Sequence, residues 1–131
     1  MKTLVVEDDF TSRVLLQEIL QEFGTVHVAV NGREAMAAVS AALEAGTPYD
    51  LICLDILMPE MDGQQTLEAI RRLEPDRGVP PAREAKIFMT TAVSSLKEVS
   101  KAYSRLCDAY CLKPIDKGRL LEALREHGLV A

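Results

Sequence analysis

Tryptophan is absent from the 131 residues, and phenylalanine and tyrosine bring the aromatic share to only 5%. That is too little for a platform on which nucleic-acid bases stack. Positive charge is also scarce: 15 Lys and Arg stand against 20 Asp and Glu, a formal charge of −5. A nucleic-acid binder needs a basic face to neutralise phosphates, so that class is set aside. No apolar run approaches the ~18 residues of a membrane helix. The start, Met1 to Asp9, ends its short apolar run in acid, unlike a secretory leader. None of the seven glycines forms a G-x-G or G-K pair, which leaves no phosphate-cradling loop for a nucleotide or flavin. The three cysteines, Cys53, Cys107 and Cys111, are odd in number and sit in apolar strings. They read as packed free thiols of a reducing compartment, with no neighbours to complete a zinc set. The expectation is a soluble, cytoplasmic protein without nucleic-acid or membrane partners.

What the sequence does contain is regular alternation. Hydrophobic residues make up 48% and charged residues 27%, enough for one well-buried core. Five β-rich runs, Thr3–Val6, Thr25–Val30, Leu51–Leu54, Ile87–Thr90 and Ala109–Leu112, are each followed by an amphipathic stretch. Four are continuous apolar strings, as in parallel strands covered on both faces. The second alternates, with Val26, Val28 and Val30 on one side, which marks a half-exposed edge. The helical stripes are Val14, Leu15, Ile19, Leu20 and Phe23; then Ala35, Met36, Val39 and Leu43; then Leu67, Ile70 and Leu73. A fourth, Leu96, Val99, Tyr103 and Leu106, lies behind a Ser95-x-x-Glu98 capping pattern, and a fifth, Leu120, Leu121 and Leu124, follows Asp116. Asn31 with Glu34 opens the second helix, and Gly46 and Gly128 read as helix stops. The segment Glu74–Glu84, with three prolines and Gly78, reads as a connection on the side away from any crevice. Strict βα alternation predicts an α/β fold of the flavodoxin-like, doubly wound class. It would have a five-stranded parallel sheet in the order 2-1-3-4-5, five helices, and a single domain over 1–131 with no output domain.

In such a sheet the functional crevice lies at the carboxyl ends of the strands. The residues expected there are Glu7, Asp8 and Asp9 after the first strand and Asp55 after the third. Thr90 and Thr91 follow the fourth, and Lys113 with Pro114 the fifth. Asp9, directly before Phe10, reads better as a helix cap. Two carboxylates ~4 Å apart at an effective dielectric near 20 repel by about 4 kcal/mol. A pocket of Glu7, Asp8 and Asp55 therefore needs a proton, a cation or both, and Lys113 supplies only one positive charge. A hard divalent ion held by carboxylates and waters, Mg²⁺ in particular, answers that need. A carboxylate beside such an ion can attack phosphorus to give an acyl phosphate. Three rivals stand against that reading. A phosphatase using an aspartyl nucleophile would carry Asp-x-Asp after the first strand. A nucleotide binder lacks its glycine loop here. An unphosphorylated interaction module would not need the full set of acids, hydroxyl and lysine.

Four runs carry a family likeness: Val5-Val6-Glu7-Asp8-Asp9, Leu54 to Gly63 with its D-x-x-M-P-x-M-D-G pattern, Met89-Thr90-Thr91-Ala92, and Tyr110-Cys111-Leu112-Lys113-Pro114. In order and spacing the chain resembles a response-regulator receiver domain of the stand-alone type. The resemblance implies that Asp55 is the phosphoacceptor. Asp8, Asp55 and the backbone carbonyl of Leu57 would bind Mg²⁺, with Glu7 acting through water. Lys113 would pair with the acceptor and then with the phosphoryl group. Thr91 would be the switch hydroxyl and Tyr110 its coupled aromatic, and the Lys113–Pro114 peptide would be cis. The implied donors are a sensor histidine kinase or a histidine-phosphotransfer protein. The output would be contact with a further protein or phosphate relay, and the only catalysis the chain's own phosphorylation and dephosphorylation. Leu57 and Val93 occupy the positions that help place a hydrolytic water in the family, and both are apolar. His27 and His127 have no phosphoryl role in this reading.

Overall fold

The ladder of strands is built as the periodicity predicts. In the computed structural model, which describes residues 1–58, 62–92 and 106–131, β1 (Thr3–Val6), β2 (Val26–Ala29), β3 (Leu51–Asp55), β4 (Lys86–Ala92) and β5 (Ala109–Lys113) form one sheet. Its order is β2-β1-β3-β4-β5 and every pairing is parallel. The described residues contain four α-helices: α1 (Phe10–Leu20), α2 (Gly32–Glu44), α3 (Gly63–Asp76) and α4 (Lys117–Glu126). The helix expected behind Ser95 falls outside the described residues.

Alternate residues of the central strands point to opposite faces, so each face needs its own cover. Val5, Cys53 and Phe88 pack against Leu16, Ile19 and Leu20 of α1 and Leu120 and Leu124 of α4. Leu4, Val6, Ile52, Leu54, Ile87 and Met89 pack against Val39 of α2 and Leu67 and Ile70 of α3. The α1 stripe is rotated from the expected one: Leu16 is buried, whereas Val14 and Leu15 stay half-buried. β2 is an edge strand as its alternation implies. It is shorter than expected and buries Ala29, leaving Val28 and Val30 over a third exposed.

Each described helix starts at the carboxyl edge of the sheet on a side-chain cap. Asp9, Asn31, Asp62 and Asp116 accept hydrogen bonds from the backbone N–H groups of Ser12, Glu34, Gln65 and Arg119. Asp62 and Gln65 form a reciprocal capping box. At α2 the returning Glu34 carboxylate takes the N–H of Val30 instead of Asn31. Gly46 and Gly128 have positive φ after their helices, as expected of stops.

Helix α3 runs through Pro75, so the connection begins later than the proline suggested. In the last turn that residue forfeits a single intrahelical bond, and Arg77 and Gly78 close the end on the carbonyls of Leu73, Glu74 and Pro75. The segment sits at the amino end of the sheet, away from the crevice, as expected. β3, β4 and β5 each extend past the expected boundary, since pairing continues through Asp55↔Thr90, Thr91↔Leu112 and Ala92↔Lys113. Asp55, Thr90, Thr91 and Lys113 are therefore held in the ladder instead of in loops. No described helix is long and apolar enough to cross a membrane.

Candidate functional site

Three acids and a lysine meet where β1, β3 and β5 end. Glu7 is fully buried immediately after β1. Its Oε1 accepts hydrogen bonds from Lys113 Nζ at 3.0 Å and the Asp9 N–H at 3.2 Å. Its Oε2 lies 2.9 Å from Lys113 Nζ and takes the Thr90 hydroxyl at 3.5 Å. Asp55, 5% exposed at the end of β3, has Lys113 Nζ 3.4 Å from Oδ2 and accepts the Leu57 N–H on Oδ1 at 3.2 Å. Asp8 is exposed, and its carboxylate has no hydrogen-bond or ion-pair partner among the described residues. One oxygen from each of Glu7, Asp8 and Asp55 lies within 4.8 Å of the others.

The electrostatics match the crowding. Burial first, and then the charge of Glu7, push the Asp55 carboxyl up from 3.8 to about 7, with Lys113 and the Leu57 N–H only partly offsetting them. Burial alone would lower the Lys113 ammonium. Its hydrogen bond to Glu7 and the charges of Asp55 and Glu7 outweigh that and hold it above the usual lysine range. The lysine is thus closer to Glu7 than to Asp55, with which the resemblance paired it. The long, flexible lysine stem reaches across the sheet edge, so one ammonium serves both carboxylates.

Backbone packing sets where Asp55 stands. Gly63 opens α3 so near the end of β3 that a Cβ there would lie 2.1 Å from the Asp55 carbonyl oxygen. Only glycine permits that approach, and the Gly63 N–H bonds to the Ile56 carbonyl at 2.9 Å. Leu57, two residues past Asp55, is 52% exposed at the mouth.

Of the other expected residues, Thr91 is buried beside the site on β4, its hydroxyl donating to the Ala92 carbonyl at 3.1 Å. Tyr110 stands on β5, 37% exposed. The Lys113–Pro114 peptide is cis, as the resemblance implied. Asp9 turns away to cap α1, so three carboxylates converge, not four. Val93 lies outside the described residues. Thr90, expected at the crevice, gives its hydroxyl to Glu7. One contributor went unmarked in the sequence: Arg13, whose guanidinium reaches the carbonyls of Glu7 and Asp8.

The cysteines and histidines stay apart from this chemistry. Burial pushes all three thiols up, Cys111 to about 11, as suits packed side chains. His27 is more than solvated: its Nδ1 lies 2.6 Å from the Tyr49 hydroxyl. His127 sets its ring edge against Phe88, on the sheet face covered by α1 and α4.

A five-stranded parallel sheet in the order 2-1-3-4-5, with an acid cluster and a lysine at its carboxyl edge, places the chain in the flavodoxin-like class. Comparison with known proteins narrows this. The chain belongs to the response regulator receiver domain family, which it matches over residues 3–125. It is 35% identical over 124 residues to the transcriptional regulatory protein ZraR of Salmonella typhimurium, and 32% identical over 128 residues to hybrid signal transduction histidine kinase L of Dictyostelium discoideum. These matches cover 94% and 97% of the chain but only 25% and 7% of those proteins, so it corresponds to one part of much longer relatives. Among solved structures, Vibrio cholerae chemotaxis protein CheY4 superposes with a TM-score of 0.75 at 27% identity, covering 95% of this chain and 96% of that one. The receiver domain of the Saccharomyces cerevisiae response regulator Ssk1, solved with the histidine phosphotransfer signaling protein Ypd1, gives 0.78 at 26% identity, covering 96% and 87%.

Proposed function

We propose that the chain is a Mg²⁺-dependent phosphorylation switch that takes a phosphoryl group onto Asp55. The observation that carries this is the Asp55 carboxylate itself. It is nearly buried at a strand end, touches Lys113, and shares with Glu7 and Asp8 an oxygen cluster of metal-binding size. The residues fit Mg²⁺: all three donors are hard oxygens, and ligand atoms ~2.1 Å from an ion lie at most ~4.2 Å apart, a small contraction of the observed cluster. Asp8 and Asp55, with the Leu57 carbonyl, would hold the ion directly. Glu7, whose two oxygens already face Lys113, Thr90 and the Asp9 N–H, would act through water. Bound there, the cation would offset the repulsion between the carboxylates and an incoming phosphoryl group.

The chain's own groups do the rest. An Asp55 oxygen attacks phosphorus on a phosphohistidine donor, forming a P–O bond as the P–N bond breaks and the imidazole recovers its electron pair. Lys113, already beside Asp55, would bind the new phosphoryl oxygens, and the Thr91 hydroxyl would leave the Ala92 carbonyl to do the same. Departure of Thr91 gives the half-exposed Tyr110 ring room to turn inward, changing the β5 surface. A sensor histidine kinase or a histidine-phosphotransfer protein would be the donor, and the output a protein contact or onward relay. Catalysis would be confined to the chain's own phosphorylation and hydrolysis, in the cytoplasm. The family membership and the Ssk1 receiver–Ypd1 complex of a structural relative support this reading. Acetyl phosphate with Mg²⁺ should add one phosphoryl group by intact mass, and Asp55→Asn should show no stable adduct. A full adduct on that variant would remove Asp55 as acceptor.

A further inference from the structure

The exposed acid of the cluster is the least restrained. Glu7 is held by Lys113, Thr90 and the Asp9 N–H, and Asp55 by Lys113 and the Leu57 N–H, whereas the Asp8 carboxylate has no partner among the described residues. A side chain this short is placed by its own main chain. At that main chain stands Arg13: Nη1 lies 3.3 Å from the Glu7 carbonyl oxygen and 3.5 Å from that of Asp8. Arg13 is itself well anchored. Its N–H bonds to the Asp9 carbonyl at 2.9 Å, its guanidinium lies 5.5 Å from the Phe10 ring, and α1 buries Leu16, Ile19 and Leu20 in the core. A guanidinium suits the task, since it offers several donors in a rigid fork and cannot lose its charge.

We infer that Arg13 is a positioning residue for divalent-cation binding, clamping the turn after β1 so that the Asp8 carboxylate faces Asp55. The inference rests on the reading of the crevice as a Mg²⁺ site. Two physical effects of Arg13 oppose each other, which gives the test its sign. As a positive charge beside the crevice it repels a cation, so its removal by itself would tighten binding. As a clamp it keeps a ligand in place, so its removal would weaken binding; outer contacts that orient metal ligands are typically worth about tenfold or more in affinity.

The experiment is calorimetric titration of Mg²⁺ into the unphosphorylated wild type, Arg13→Met, Arg13→Lys and Asp8→Ala, with a thermal melt of each in chelator. Arg13→Met should bind about tenfold more weakly despite having lost a repelling charge. Arg13→Lys, which keeps a donor within reach of one carbonyl, should recover part of that loss. Unchanged or tighter binding by Arg13→Met would overturn the inference. If Arg13→Met melts too low to titrate, Arg13→Lys decides: weaker binding than wild type at equal charge supports the clamp, and equal binding refutes it. If Asp8→Ala abolishes binding while both Arg13 variants bind like wild type, only the role of Arg13 falls. If Asp8→Ala binds like wild type, the crevice is not the Mg²⁺ site and both readings fall.

Discussion

The two ends of the sheet bury charge in opposite ways. At the amino end, the largely buried Arg71 of α3 donates to the carbonyls of Leu106 and Ala85, each at 2.8 Å, and to the carboxylates of Glu74 at 2.7 Å and Asp108 at 3.1 Å. Those acids in turn accept the N–H groups of Ala85 and Ile87, both at 2.8 Å. Cation and anions are thus each given close partners, and the cluster ties α3 to the starts of β4 and β5. At the carboxyl end the buried Glu7 and Asp55 share one lysine beside the exposed Asp8, and the Asp55 carboxyl rises to about 7. The lesson is one of satisfaction. Where buried charges find short, direct partners they hold the chain together, and where they do not they leave a need for a proton or a cation.

The sharpest way to break the comparison is to make the amino end resemble the other. Arg71→Met strands Glu74 and Asp108 without their guanidinium, and removing one partner of a buried network costs about 3–5 kcal/mol. Urea unfolding should show a loss of that size. A change under about 1 kcal/mol would mean the network is ornamental, since that is what surface pairs contribute.

The converse change should help. Asp55→Asn removes the unsatisfied charge, so without metal at pH 8 the variant should be more stable than wild type. The gain should be roughly 2 kcal/mol, about half of what a rise from 3.8 to about 7 allows. The sign follows from the proton count. Between pH 3.8 and about 7 the folded Asp55 keeps a proton that the unfolded chain has lost, so this group's penalty grows as pH rises and is complete above pH 7. The gap between variant and wild type should therefore close as pH falls toward 4. Denaturant midpoints at pH 8 and pH 4.5 check it, and equal midpoints at pH 8 would contradict the electrostatic account.

The smallest expected effect concerns how long the carboxyl end stays phosphorylated. The side chain at Leu57 is apolar and 52% exposed at the mouth, and Val93 is apolar too. Neither can hydrogen-bond a hydrolytic water, so slow self-dephosphorylation is expected. Leu57→Asn with Val93→Glu should shorten the lifetime by lowering the barrier roughly 1–2 kcal/mol, the worth of a single hydrogen bond to that water. Decay of phosphoprotein with Mg²⁺ after donor removal measures it. Wild-type decay within seconds, or no acceleration in the double variant, would show that these positions do not set the lifetime.

Much of this molecule was legible along the chain. The positions of the strands, the caps at Asn31 and Asp116 and the stops at Gly46 and Gly128 depend on residues within one or two turns of each other. Apolar period and turn chemistry encode such features directly. The motif at Asp55 and the Lys113–Pro114 pair likewise declared themselves by spacing. Pairings of charge did not. Lys113 and Glu7 meet across 106 positions, and Arg71 and Asp108 across 37. That the lysine lies nearer Glu7 than Asp55, and that Arg13 grips the turn after β1, depend on which donors the packed sheet brings within 3.5 Å. A hydrogen bond or ion pair is decided at that range, and the sequence sets distances only over a few residues, so local pattern determined the scaffold and the identity of the acids, while tertiary packing determined which of them remain unsatisfied.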